Sequence, residues 1–204
     1  MLRNILPERV TSELKACGRV EPVKYDSVSV LFADFVGFTE NAESLPSSRL
    51  VELLGYYYGR FDDITSSMWL EKIKTIGDCY MCVAGLPAEN EGHADEALRA
   101  ARAMLSVVEN PPPGLFAEGE APWRIRIGIH SGPVTAGVVG SHKFAYDIWG
   151  DTVNTAARVE ATGAPGRINI SESTLALLQE DVNLEPRGPI EIKGKGGLDM
   201  FFVE

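Results

Sequence analysis

Six strand-compatible residues that run straight into an acid constrain this chain more than any other feature. Val28, Ser29, Val30, Leu31, Phe32 and Ala33 lead to Asp34, and Phe35-Val36-Gly37-Phe38-Thr39 follow. A carboxylate at the end of a buried strand is costly unless something pairs with it. A hard cation is the natural partner. The glycine and threonine that follow suit a turn whose backbone N–H groups could face phosphate. The rest of the sequence can be read by asking what would complete such a site.

The pattern along the chain predicts its elements. Leu2, Leu6, Val10 and Leu14 repeat every four residues, so 1–17 reads as a helix stopped by Gly18. Pro7 either kinks this helix or marks its real start. The narrow stripe fits equally a helix packed on the domain and one that pairs with a copy of itself or continues a coil from upstream. After Thr39 a polar stretch leads to Ser47 or Ser48 as a cap, and Leu50, Leu53, Leu54, Tyr57, Tyr58, Phe61 and Ile64 mark a helix over 48–69. Residues 71–84 read as two strands joined at Gly77-Asp78, a two-residue turn. Residues 92–109 form an alanine-rich helix, ended by PPPG at 111–114. WRIRIGIH at 123–130 alternates as a half-buried strand does, and the small residues of 131–140 predict a loop or a tight strand pair. A strand over 144–151, a helix capped by Asp151, a strand at 167–171, a short helix and a closing hairpin complete the chain. The order is βαββαβ, the ferredoxin-like arrangement, with a C-terminal β-α-β-α-β-β extension. The expected class is α+β, with helices on one face of an antiparallel sheet. Residues 1–20 read as an N-terminal helical segment and 21–204 as one folded domain.

Composition then excludes several functions. A formal net charge of −10 argues against a nucleic-acid partner, which would want a basic face. No apolar run approaches the roughly 18 residues of a membrane span, and no signal-peptide core is visible. Three cysteines suit a reducing cytoplasm better than a disulfide scaffold. Cys79 and Cys82 lie in a strand, three residues apart, so they point to opposite faces as small core residues.

Among the polar residues, Asp34 and Asp78 form the first pair, because the ferredoxin-like order sets their strands side by side. Two close carboxylates repel unless cations sit between them, and two metal ions on two aspartates suit in-line phosphoryl displacement. Asn154 and Arg158, at i and i+4, share a helix face, and a guanidinium suits a phosphate whose charge is growing. Lys74 and Asp147 together could read the edge of a base, or simply form a salt bridge. Lys193 and Lys195, set among glycines, suit phosphate contact. There is no H-E-x-x-H, nucleophile elbow or Walker A motif.

In VLFADFVGFT, EKIKTIGDCYM, GIHSGPVTAGVVG, YDIWGDTVNTAARVE and IKGKG, taken in this order, the chain resembles the class III nucleotidyl cyclase catalytic domain. The resemblance spans Val28 to Val203. It implies adenylyl cyclase activity, converting ATP to cyclic 3′,5′-AMP and pyrophosphate, with two Mg2+ or Mn2+ ions per site. By that likeness Asp34, Asp78 and the carbonyl of Phe35 bind metal. The amides of Val36, Gly37, Phe38 and Thr39 hold the triphosphate. Lys74 and Asp147 select adenine, Asn154 orients the ribose, Arg158 stabilises the transition state, and Lys193 (or Lys195) takes the terminal phosphate. Guanylyl cyclases usually carry Glu and Cys where Lys74 and Asp147 stand. Two departures stand out. Pro133 occupies a position where one half of the mammalian membrane-bound enzymes has Arg. Asp147 stands where the bicarbonate-responsive subset often has Thr or Ser. Because one chain keeps both residue sets, the resemblance implies a symmetric homodimer with shared sites, cytoplasmic and joined to an upstream sensor or membrane module. The alternatives are a guanylyl cyclase and a catalytically silent dimerisation or nucleotide-sensing module.

Overall fold

Strand β1 (Val23–Phe35) is the spine of the molecule: it pairs antiparallel with β3 (Cys79–Ala84) on one side and with β4 (Ile125–Val139) on the other. The structure is a computed structural model that describes residues 6–140, 142–192 and 194–204, with the side chains at 8, 9 and 41 outside that description. β2 (Leu70–Ile76) pairs with β3, giving the order β2-β3-β1-β4 of a ferredoxin-like core. The sheet continues through β6 (Ile168–Ser171), β8 (Gly196–Val203) and β7 (Leu184–Ile192), and β5 (Ala145–Trp149) folds back on β4. β6 runs parallel to β4, and the other neighbours are antiparallel.

Alternation along β1 splits the core in two. Leu31, Ala33 and Phe35 face α3 (Ser47–Ser67) and α4 (His93–Glu109), where Leu53, Tyr57, Phe61, Ala97, Ala101 and Met104 are buried. Val28, Val30 and Phe32 face the other way, toward α5 (Asp151–Ala161) and α1 (Glu8–Cys17), where Ala156, Val10 and, just ahead of α1, Leu6 close that layer. Helices therefore cover both faces, not one. α1 packs on the domain through Val10; Pro7 is its N-cap and Gly18, at φ 70°, its C-cap. The first turn predicted for this helix, 1–5, lies outside the described residues. Cys79 and Cys82 pack into opposite layers, as their spacing in a strand requires.

Three local expectations are corrected. α2 (Phe38–Ser44) forms where a polar loop was expected. α3 is capped by Pro46, without a side-chain cap from Ser47 or Ser48. Asp151 does not cap α5; Gly150 is its N-cap. The small-residue segment after His130, expected as a loop or a tight strand pair, is the second half of β4 and pairs with β5. Its size has a packing cause. A Cβ at Gly128 would sit 2.2 Å from the backbone nitrogen of Glu160, and one at Gly132 would sit 2.8 Å from Thr152 Oγ1. Small residues here let α5 lie directly on the strand, and larger ones would push it off. α6 (Glu172–Leu175) is a single turn beside β6, capped by Ser171.

Candidate active site

The end of β1 is fixed from one side by aromatic packing. Phe35 is buried among Tyr57, Phe61 and Trp123, with the Trp123 ring centroid 5.0 Å away. The carboxylate one residue earlier therefore has little freedom, and it projects on the α5 face. Asp34 stands opposite Cys79 in the register with β3, which makes Asp78 its diagonal neighbour. Gly77, at φ 64°, makes the tight turn, and the Tyr58 hydroxyl donates to its carbonyl at 3.1 Å. The two aspartates thus meet as the strand order predicts. Burial pushes the Asp34 carboxyl up from its ordinary value and the Asp78 charge adds to this, while Arg126 opposes both.

Arg126 is the neighbour that sequence reading passed over as one charged residue of an alternating strand. It lies directly across from Asp34 on β4. Its Nη2 donates to Asp34 Oδ2 at 2.8 Å, and its Nε donates to Glu160 Oε1 of α5. Glu160 is only 6% exposed; burial raises its pKa and the Arg126 hydrogen bond lowers it. Burial works against the Arg126 charge, but Glu160 and Asp34 outweigh it and leave the guanidinium's pKa raised. Two carboxylates, Asp34 and Glu160, thus share one guanidinium, and Asp78 acts electrostatically on both of them. The excess is negative, and that surplus fits a divalent cation. Among the described residues no three His, Cys, Asp or Glu side chains gather as a ready-made metal site. Asp34 and Asp78 would supply two carboxylates, and the remaining ligands would be backbone carbonyl (Phe35), water and phosphate oxygens. Small hard cations such as Mg2+ are commonly held in this way.

Val36 needs a correction as a phosphate donor. Its N–H already donates to the Arg124 carbonyl at 2.8 Å. The amides left for an anion are those of Gly37, Phe38 and Thr39. Gly37 adopts the left-handed conformation (φ 69°) that starts α2.

Lys74 and Asp147 are joined within one chain. Lys74 Nζ lies 2.5 Å from Asp147 Oδ2, and Asp147 Oδ1 accepts from the Ile148 N–H at 2.9 Å. The pairing is made possible where β5 comes against β2, and a bulge between Lys72 and Lys74 turns the strand there. Asn154 is exposed and Arg158 half-buried, both on α5. Neither side chain has a partner among the described residues. Lys193 lies outside the described residues. Lys195 forms an ion pair with Asp151 at the start of α5. Within one chain, then, the carboxylates, the Lys74–Asp147 pair and the α5 side chains remain three separate groups, with no hydrogen bond or ion pair joining them among the described residues.

This fold and this set of groups define a nucleotidyl cyclase domain, and comparison with known proteins agrees. Residues 20–204 match the family described as the adenylate and guanylate cyclase catalytic domain, and the chain belongs to that family. It is 40% identical over 204 residues to an adenylate cyclase of Mycobacterium tuberculosis, covering all of this chain and 45% of that protein. It is 43% identical over 210 residues to human retinal guanylyl cyclase 2, covering 18% of that protein. The chain therefore spans less than half the length of these relatives. Among solved structures, the catalytic core of a rhodopsin-guanylyl cyclase with converted specificity, in complex with ATPαS, superposes with a TM-score of 0.83. That match has 35% identity and covers 90% of this chain and 98% of the other. No helix among the described residues is long and apolar enough to cross a membrane.

Proposed function

We propose that this chain is an adenylyl cyclase domain, making cyclic 3′,5′-AMP and pyrophosphate from ATP at two sites shared across a homodimer. The observation that carries the reading is the Lys74–Asp147 pair, preassembled at 2.5 Å with the acid pinned by its own strand. Adenine offers an acceptor at N1 and a donor at N6. A cation facing N1 and a carboxylate facing N6 satisfy both. Guanine reverses those roles, so the same pair would leave buried polar groups unmatched, which discriminates strongly.

Asp34 and Asp78, with the Phe35 carbonyl, would hold Mg2+ or Mn2+. When bound, such ions lower the pKa of the ribose 3′-hydroxyl and neutralise triphosphate charge. The amides of Gly37, Phe38 and Thr39 hold phosphate oxygens. Asn154 orients the ribose, and Arg158 meets the charge that grows on the α-phosphate during in-line attack. Lys193 takes the terminal phosphate. No side chain stands out as a general base, so positioning and charge stabilisation supply most of the rate.

Two features support a second copy as the completing partner. Asn154 and Arg158 have no side-chain partner among the described residues, and Ile76, Val139, Phe144 and Trp149 expose apolar surface near the Lys74–Asp147 pair, at 52, 48, 39 and 42%. Longer relatives point to an upstream sensor or membrane module, with this domain on the cytoplasmic side.

Mixing the Asp78→Ala and Arg158→Ala chains, each inactive alone, tests the shared site: one working site per mixed dimer returns activity. No recovery in mixed dimers shown to form would sink it. The 43% identity to a guanylyl cyclase favours GTP as the competing substrate. Turnover of ATP against GTP by the wild type decides between them, and Lys74→Glu with Asp147→Cys shifts preference toward GTP.

A further inference from the structure

Arg126 gives one N–H to each of two carboxylates and grips neither with both. A guanidinium usually holds a carboxylate best through two parallel N–H bonds. Here that fork is divided between Asp34, at the end of β1, and Glu160, on α5. The side chains are largely withdrawn from water, at 16% exposure for Asp34, 30% for Arg126 and 8% for Glu160. Water therefore screens the contest between the two acids only weakly. The strand register fixes Arg126 opposite Asp34, and the glycine at 128 lets α5 come close enough for Glu160 to reach the same guanidinium.

We propose that Arg126 is a two-position counter-cation. It neutralises Asp34 while no metal ion is there, and it closes as a bidentate fork on Glu160 when a divalent cation takes Asp34. This rests on the metal-site reading above and goes beyond it. Arg126 touches no substrate; it is a positioning residue acting through Asp34 and Glu160. Because Glu160 belongs to the helix that carries Asn154 and Arg158, metal arrival at one carboxylate is transmitted to α5. In a homodimer with shared sites, that helix would serve the other site, so the triad links the two.

Mn2+ alone, titrated onto the purified protein and followed by electron paramagnetic resonance, tests this without turnover. Asp34→Asn must abolish the site; if it does not, the metal-site reading falls and takes the inference with it. With that site established, Arg126→Gln removes the competing cation and tightens Mn2+ by about tenfold, while Glu160→Gln leaves Arg126 no second seat and weakens Mn2+ by a similar factor. A mere structural bolt would weaken binding in both variants, and that result overturns the proposal. Hydrogen exchange gives the second readout. Mn2+ slows exchange at the amides of 151–161 in the wild type and leaves Glu160→Gln unchanged. Arg126→Lys guards against misfolding in the other variants. Its ammonium keeps the charge without the fork, so Mn2+ affinity stays within about threefold of wild type while the exchange response is lost. A response that persists in Arg126→Lys overturns the link to α5.

Discussion

Two buried polar networks lie against β1, one starting from His93 on the α4 face and crossing the sheet to His130, the other on the α5 face, and they are built from different materials. On the α4 face His93, 3% exposed, is hydrogen-bonded to Ser27 and Ser29. Ser29 continues to Ser131 at 2.6 Å, Ser131 to Thr174, Thr174 to Ser171, and Ser171 to His130. Every group in that chain is a hydroxyl or an imidazole, and the chain satisfies itself. On the α5 face Asp34 and Glu160 share a single guanidinium, with Asp78 beside Asp34. A neutral network that closes on itself adds order to a fold. A charged one with more carboxylates than cations has a negative surplus that a further cation can meet.

The comparison breaks most visibly in activity. Replacing Asp34 or Asp78 by Ala is expected to cut kcat/KM by about 10³-fold or more, with circular dichroism and thermal midpoint close to wild type. The same replacement at Ser29 should leave kcat/KM per folded molecule within about threefold, since that network meets no substrate in this reading. Equal losses at Asp34 and Ser29 would erase the distinction drawn between the two networks.

The next effect tests what holds the charged face together. In Gly128→Ala the new methyl meets the Glu160 backbone, and nothing rigid there can yield. α5 must lift, at a cost of about 3 kcal/mol in urea unfolding, and activity falls with it. An unchanged urea midpoint would mean that α5 does not need its close seat on β4.

The hydroxyl and imidazole network predicts the pH dependence. Burial lowers the His130 pKa from its ordinary 6.5 to about 4, helped by Lys195 and opposed by Asp151. His93 is shifted the same way, again by burial. Both rings are held neutral when folded, so the unfolded chain binds more protons below 6.5. Stability is therefore full above about pH 6.5 and declines as pH falls toward 4, by roughly 2–3 kcal/mol for His130. Urea unfolding between pH 7 and 4 measures it, and His130→Asn should flatten the slope. A slope that is unchanged in His130→Asn would remove this ring from the account. Ser29→Ala has the smallest effect, about 1 kcal/mol from the lost hydrogen bonds, read from the same titration at pH 7.

Sequence reading located the aspartates well because strand order alone brings them together: β1 and β3 must be neighbours in this topology, and the turn holding Asp78 abuts the end of β1. It located Lys74 and Asp147 as one possible salt bridge, and the ion pair is there. It missed α2, whose polar residues carry no apolar stripe. It leaves the second half of β4 open between a loop and a tight strand pair, because small residues look like turn residues until the helix they accommodate is in view. Arg126 and Glu160 were out of reach. One is an ordinary charge in an alternating strand, the other an ordinary acid two residues beyond Arg158, and nothing in their spacing says they meet.

What the sequence determined by itself is the inventory and its order. An apolar strand ends in an acid, a turn holds a second acid, a helix spaces Asn154 and Arg158 onto one face, and the periodicities set the ferredoxin-like core. These are local properties, fixed by side-chain period and turn chemistry over a few residues. Only the tertiary structure decided which charges oppose one another. Arg126 meets Asp34 through cross-strand register, and Glu160 reaches both because two glycines on β4 let a helix touch a strand. Electrostatic energies fall off over a few ångströms in a poorly screened interior, so the charge balance of this site depends on distances that no stretch of sequence contains.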